Sequence, residues 1–293
     1  MKDKINWADY VINAILILFG LSIVLAFWYQ FVISLSPGYI ATMGGIQLFP
    51  TDITLDNYGK VVSSKFIWEG YANTLFRTIV GTFLSLFITA MVGYALSKKY
   101  FPHRSFWTLL LVFTMFFGGG LIPTYLVIRD LGLIDNYLVM ILPGLVSAYN
   151  MTIMRNYFAS LPEEIEESAM IDGAGRFRTF FSIILPLSKP ILATVALWLA
   201  VGHWNAWFDV LIYITDEHKF TLQIVLRRII LTGTQQMLDA MNSTEEVLDN
   251  FTATSSEGLK AAAIFVATLP ILCVYPFIQR YFVKGIMIGS LKG

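Results

Sequence analysis

The sequence is short of charge and almost free of cysteine. Only 14% of its 293 residues are Asp, Glu, Lys or Arg, against about a quarter in an ordinary soluble domain. Roughly half the charge that would solvate such a surface is missing, which excludes a disordered chain and disfavours a water-soluble enzyme. The charges also cancel, 20 basic against 20 acidic, so no net field favours nucleic acid or another polyanion. The single cysteine, Cys273, can close no internal disulfide and lacks companions for a thiolate metal site; it reads as an apolar filler. His103, His203 and His218 have no His-Glu-x-x-His spacing, and His203 reads as a packed helix residue. No Gly-x-x-x-x-Gly-Lys-Ser/Thr run occurs either, because Gly59-Lys60 lacks the upstream glycine. The chain therefore has no phosphate-cradling loop of its own for ATP.

What is plentiful is apolar side chain, 56% of the total, and it is gathered into blocks. A charge-free run of about 18 residues or more marks a membrane helix. Six runs qualify: Val11–Leu35, Ala72–Leu96 with Arg77 as its only ion, Ser105–Ile128, the gap from Asp135 to Arg155, the gap from Lys189 to Asp209 with an extension to Tyr213, and the gap from Lys260 to Arg280. The first far exceeds the roughly 7–15 apolar residues of a secretory signal, so it is expected to stay as a span. The pattern predicts an all-α integral membrane protein with six transmembrane helices.

Orientation follows from Lys and Arg in the short loops. With a cytoplasmic N-terminus the inner segments collect Lys2, Lys4, Lys98, Lys99, Arg104, Arg155, Arg176, Arg178, Lys189, Arg280, Lys284 and Lys292, while the short outer loop after the third span holds only Arg129. Both termini are thus expected in the cytoplasm. The expected organisation is a first span with its outer loop over 1–71, then a core of five spans over 72–293. That core carries a cytoplasmic loop at 160–190 and an outer loop at 214–259. In the first outer loop Ser36-Pro37-Gly38, Gly44-Gly45 and Pro50 signal turns. In the second, Leu222–Leu231 mixes apolar residues with Arg227 and Arg228 in the manner of an interfacial helix. A polar stretch follows, holding the common acceptor tripeptide Asn250-Phe251-Thr252.

The 160–190 loop is the most informative stretch. Ser160 and Glu163 have the spacing of a capping box, and Pro162, Glu163 and Glu164 suit the positive end of a helix. Leu161, Ile165 and Ala169 form one apolar stripe, while Glu163, Glu166 and Glu167 are expected to face elsewhere. Gly173 and Gly175 should stop this helix. Phe177, Phe180, Phe181 and Ile184 then write a second one, closed by Pro186 and Pro190. Both are too short to persist alone in water, so they must pack on the bilayer surface or on another protein. Periodicity leaves both options open.

Glu167-Ser168-Ala169-Met170-Ile171-Asp172-Gly173, then nine residues, then Ile183-x-Leu185-Pro186, resembles the EAA loop of ABC-importer permeases, with Ser168 at the second motif position, where alanine is usual. Residues 113–137, the segment Trp204-Asn205 with Trp207-Phe208, and the ending 282–293 resemble the carbohydrate-uptake branch, near the maltose-type second permease and the permeases for alginate and other complex oligosaccharides. The first 70 residues match more loosely. The resemblance implies a type I ABC-importer permease whose coupling helix docks on an ATPase through Glu163, Glu164, Glu167, Ala169, Asp172, Gly173, Ile183, Leu185 and Pro186. It also implies a homologous second permease, two ATP-binding cassette subunits and an extracytoplasmic solute-binding protein, assembled in the bilayer of a bacterial cytoplasmic membrane. On that reading the chain is non-catalytic and holds no cofactor, ATP and magnesium belonging to the ATPase, and the cargo is an oligosaccharide or related sugar.

Within the spans, flat aromatic surface beside hydrogen-bonding groups is what a sugar ring needs. Trp198, Trp204 and Trp207 crowd the fifth span, and Asn205 and Asp209 stand at i and i+4, on one helical face. Asn150, with Tyr149 and Thr152, is a similar candidate in the fourth. The competing reading of the tryptophans is interfacial anchoring. Gly118-Gly119-Gly120 and Pro123 interrupt the third span, either for close helix packing or as a flexible segment at the pathway. An ion-coupled carrier and a multi-pass enzyme are the alternatives. Spans almost free of ionisable groups weigh against the first, and the lack of paired carboxylates against the second.

Overall fold

The computed structural model of the chain describes residues 7–42, 45, 47–231 and 257–273, and every regular element among them is a helix or helical turn. The elements used below are α1 (Trp7–Ser34), α2 (Gly38–Thr42), α3 (Asp56–Ser63), α4 (Lys65–Ser97), α5 (Arg104–Phe116), α6 (Leu121–Asp130), α7 (Ala148–Ala159), α8 (Glu163–Ile171), α9 (Arg176–Thr179), α10 (Leu185–Leu187), α11 (Lys189–Asn205) and α12 (Phe208–Tyr213). Helices over 222–231 and 257–273 follow, α13 and α14. The chain divides into two compact units, one of residues 1–68 with 225–270 and one of 69–224 with 271–293. In the first unit α1 is apolar on every face and exposed along most of its length, as a helix surrounded by lipid must be. Its Phe27 and Phe31 rings meet Phe265 of α14 at 6.5 and 5.4 Å. Asn57 of α3 donates to the carbonyls of Ser34 and Ser36.

The second unit is organised by α4. Asn73, Arg77, Gly81, Ser85, Thr89, Gly93 and Ser97 recur every fourth residue, and all seven are buried. Small and polar residues let membrane helices approach closely and hydrogen-bond. Because an α-helix has 3.6 residues per turn, a row spaced by four drifts around the helix by about 40° per step, so this seam meets different partners along its length. At the first end Asn73 donates to the carbonyls of His218 and Phe220 at 2.7 and 2.9 Å. One turn on, Arg77 forms a two-pronged ion pair with Asp209 of α12, with Nη1 to Oδ1 at 3.1 Å. Gly81 lies under the His203 ring of α11, where an added Cβ would come within 2.6 Å of Nε2. Gly93 lies against α7, where a Cβ would stand 3.2 Å from that of Met154. The core beyond it joins Ala90 of α4, Met154 and Phe158 of α7, Phe180 and Ile184, and Val195 of α11.

By length and apolarity α1 and α4 can each cross a bilayer, and among the described residues up to five crossings result when three bent helix pairs count as one each. The expected third span is not a straight helix: α5 and α6 meet at 118°. Gly118 and Gly120 have no atom within reach of an added Cβ, and Gly120 takes φ +86°, so within this chain the glycines make a turn rather than a close contact. The expected fourth span opens as short 3-10 turns over Tyr137–Gly144 before bending by 51° into α7. The sixth expected span is helical to residue 273, and its remainder lies outside the described residues. So do Lys2, Lys4, Arg280, Lys284, Lys292, the Asn250 tripeptide and the 282–293 ending. The 222–231 stretch is a helix, α13, with Leu222, Ile224, Val225 and Leu226 buried and Arg227 and Arg228 exposed. Cys273 is exposed rather than a packed filler.

Between α6 and the 137–144 turns, Asp135 adopts φ +57° and accepts from the backbone N–H groups of Thr215 and Asp216 and from Lys219 Nζ, at 3.1, 3.0 and 2.9 Å. The Asp216 amide and then the Lys219 ammonium hold its carboxyl below the ordinary value. The Arg77–Asp209 pair is more deeply placed, Arg77 keeping 5% of its side chain exposed and Asp209 27%. Removing one partner of such a pair strands a charge, whereas replacing both by apolar groups does not. Asp209→Ala is therefore expected to destabilise the assembled protein by about 3 kcal/mol, and Arg77→Met with Asp209→Leu to recover most of that. Thermal midpoints in detergent check both, and an unchanged Asp209→Ala midpoint would remove this pair from the supports of the fold.

Candidate functional site

The 160–190 connector folds as two short helices, with one departure at its start. Ser160 does not cap α8: it closes α7, and its hydroxyl donates to the Tyr157 carbonyl at 2.7 Å. Pro162 precedes α8 without a side-chain cap, and Glu163, Glu164 and Glu166 in the first turn supply the negative charge that this helix end favours. At the other end Ala174 N–H reaches the Ala169 carbonyl at 2.9 Å and Gly173 N–H that of Met170 at 3.0 Å. Those two bonds form a Schellman closure with Gly173 at φ +78°. A Cβ at Gly173 would meet nothing within 4 Å, so the backbone conformation and not space calls for glycine there. Gly175 then precedes α9, and Phe180–Ile184 make a π-type turn before α10. From this segment the chain bends by 82° into α11.

Glu166 does not face away with Glu163 and Glu167. It is 8% exposed and shares the buried side of α8 with Ala169. Its Oε1 is ion-paired with Lys98 at the end of α4, and its Oε2 accepts from the Tyr94 hydroxyl at 3.3 Å. Lys98 Nζ also stands 4.7 Å over the Tyr94 ring, a cation–π placement. That ring meets Phe180 at 4.8 Å and Phe158 at 5.9 Å. Tyr94 thus touches α7, α8 and the turn after α9 at once. Sequence reasoning gave Glu166 a solvated face, read Lys98 only for orientation and did not name Tyr94. The three-residue step from Glu166 to the buried Ala169 is the local signal, and the partner lies 68 residues earlier.

The remaining connector residues point outward. Glu163, Glu164, Glu167, Asp172 and Pro186 are exposed, Ile183 and Leu185 are half-buried, and Ala169 is buried. Lys99 reaches Glu163 at 2.9 Å, and that hydrogen bond holds the Glu163 carboxyl below its ordinary value. The tip is apolar: Met170, Phe177 and, at 86% exposure, Ile171 stand in the open.

The fifth-span candidates are dispersed by a break. α11 ends at Asn205 and α12 starts at Phe208, with Ala206 extended between them, so Asn205 and Asp209 do not share one helical face. Asn205 is exposed, Trp207 is half-buried with its ring 5.6 Å from Phe208, and Asp209 is committed to Arg77. Trp204 is buried, its ring edge-on to Tyr71 at 6.4 Å and its Nε1 without a hydrogen-bond partner among the described residues. Asn150 is buried in the first turn of α7, and the neighbouring Tyr149 ring meets Trp198 at 6.2 Å. Among the described residues no group of three His, Cys, Asp or Glu side chains is placed to hold a metal ion.

Comparison with known proteins gives this arrangement a family. Residues 69–288 match the family described as binding-protein-dependent transport system inner membrane component. Protein LplC of Bacillus subtilis (strain 168) is 41% identical over 246 residues, 84% of this chain and 81% of LplC. The polygalacturonan/rhamnogalacturonan transport system permease protein YtcP of the same organism is 37% identical over 293 residues, the whole length of both chains. A chain in the crystal structure of a bacterial ABC transporter involved in the import of the acidic polysaccharide alginate superposes with a TM-score of 0.85 at 34% identity, covering 96% of this chain and 100% of that one. An all-α chain with lipid-facing helices, a helical connector pinned to its central helix and a match over three quarters of its length belongs to the inner membrane components of binding-protein-dependent transport systems, as a non-catalytic, multi-pass permease of ABC-importer type.

Proposed function

We propose that the chain is one half of the pore of an ATP-driven importer, paired with a homologous permease, served by a solute-binding protein outside and driven by two ATPase subunits inside. The observation that carries this reading is the connector, which leaves Met170, Ile171 and Phe177 uncovered while Glu166 locks its other side to α4. An exposed apolar tip of this kind fits a cleft in another protein. In this reading the chain crosses the membrane six times with both termini in the cytoplasm, and the connector stands on the cytoplasmic side. ATP and magnesium are held by the partner ATPases. Glu163, Glu164, Glu167, Asp172 and the apolar tip engage the ATPase, Gly173 fixes the turn between the two short helices, and Ile183, Leu185 and Pro186 carry the motion into α11.

The cargo is an oligosaccharide. The proteins similar to this one named for polygalacturonan and rhamnogalacturonan and for alginate give uronic-acid oligosaccharides the most support. Asn150, Trp204, Asn205 and Trp207 are the pathway residues of this proposal, while Asp209 acts through its pair with Arg77.

Three outcomes are expected. Gly173→Leu, which forces a branched side chain into left-handed backbone, should abolish uptake and release the ATPase while leaving the affinity of the binding protein for sugar unchanged. Normal uptake by that variant would contradict the docking role. Lys98→Glu or Glu166→Lys alone should lower sugar moved per ATP hydrolysed at least about tenfold, and the double exchange should restore part of it. No recovery in the exchange would mean that the two sites act independently. Asn205→Ala with Trp207→Ala should raise the substrate concentration for half-maximal uptake, and unchanged kinetics would take the α11–α12 break out of the pathway.

A further inference from the structure

A second polar site lies beside the connector and is used by neither the docking tip nor the pathway residues. Where α5 begins against α7, a cavity of about 1000 Å³ is lined by Lys99, His103, Arg104 and Arg155 at one end and by apolar α5 residues, Phe106 and Leu109 among them, at the other. No carboxylate lines it. Lys99 is engaged by Glu163 of α8, which places the cavity at the same end of the spans as the connector. The two arginines form no ion pair among the described residues, although like charges held together in a partly shielded site repel. Two of the lining residues, Arg155 and Thr108, each carry a buried polar atom, Nε and Oγ1, with no hydrogen-bond partner among the described residues, and such groups are costly to leave unmade. The first turn of α5 also has no side-chain cap, so its amides add positive potential at the same place.

We infer that this cavity binds the headgroup of an anionic phospholipid, its phosphate between Arg104 and Arg155 and an acyl chain along Phe106 and Leu109. The charge calls for an anion, and the apolar end selects an amphiphile over free phosphate. A phosphate has the size of a few waters at about 30 Å³ each and would leave most of the space empty. Basic pockets between membrane helices on the cytoplasmic side hold lipid headgroups by the same physics.

The test uses the assembled importer in nanodiscs of equal phosphatidylglycerol and phosphatidylcholine, with retained lipid counted by native mass spectrometry. Phosphatidylglycerol should be retained preferentially. Arg155→Gln should reduce that retention about tenfold, the loss of one charge-assisted contact, and Arg129→Gln, an equal loss of charge away from the cavity, should not. Added inorganic phosphate should leave retention unchanged. A phosphatidylglycerol carrying a photoreactive acyl chain should crosslink to α5 between Phe106 and Val112 in the unmodified protein, which keeps the test open if Arg155→Gln fails to assemble. Equal retention of both lipids, retention unaffected by Arg155→Gln, displacement by phosphate alone, or crosslinks confined to other helices would each overturn the assignment. The last would be the result if the sister permease fills the cavity.

Discussion

The second unit depends on one constraint: α4 must be approached closely by four different segments in surroundings where water cannot drive the helices together. Lipid tails are as apolar as leucine, so association rests on surface fit and on hydrogen bonds. The row from Asn73 to Ser97 supplies both. Its steady rotation explains why one helix meets the 216–222 turn at one end, α12 and α11 next, and α7 at the other. A straight apolar stripe would have served one neighbour only. Glycine appears where backbone or ring must come close, at Gly81 and Gly93, and Asn73 and Arg77 stand where the neighbour offers carbonyls or a carboxylate, while Ser85 and Thr89, with no hydrogen-bond partner among the described residues, contribute by their small size.

The same helix ends in the group that fixes the connector. Lys98, Tyr94 and Glu166 form a compact unit of ion pair, hydrogen bond and cation–π contact, with Phe180 and Phe158 against the ring. A buried charge that loses its partner is strongly destabilised, so the connector is held to α4 in one register. A push on α8 is passed to α4 through Glu166 and to α11 through the chain itself. The loop is short of local stability but well supplied with fixed attachments, as a part that transmits displacement needs to be.

Local chemistry was legible in the sequence and distant partnership was not. The glycine stop at Gly173, the acidic first turn of α8 and the break at Gly118-Gly119-Gly120 could be read because each is decided within a few residues. The ends of the apolar blocks could be read as well, although hydropathy does not distinguish a straight helix from one that folds back through 118°. The break between Asn205 and Phe208 gave no warning, since Ala206 and Trp207 are not helix breakers, and the shared face expected for Asn205 and Asp209 went with it. The burial of Glu166 was misread for the opposite reason: a third glutamate beside Glu163 and Glu167 has the look of a solvated face until Lys98 arrives from another helix. Arg77 and Asp209 stood out as rare ions, but only the fold shows that each is the other's counter-ion.

Ile171, the last residue of α8, stands almost wholly uncovered. If the connector docks on an ATPase as proposed, a copy made in excess of that motor would keep the greasy point uncovered, and chaperones and membrane proteases recognise such surfaces. Burying it in a partner would mask the signal. The feature proposed to let the subunit be driven would then also mark orphan copies for disposal, and so tie the number of pores to the number of engines available to run them.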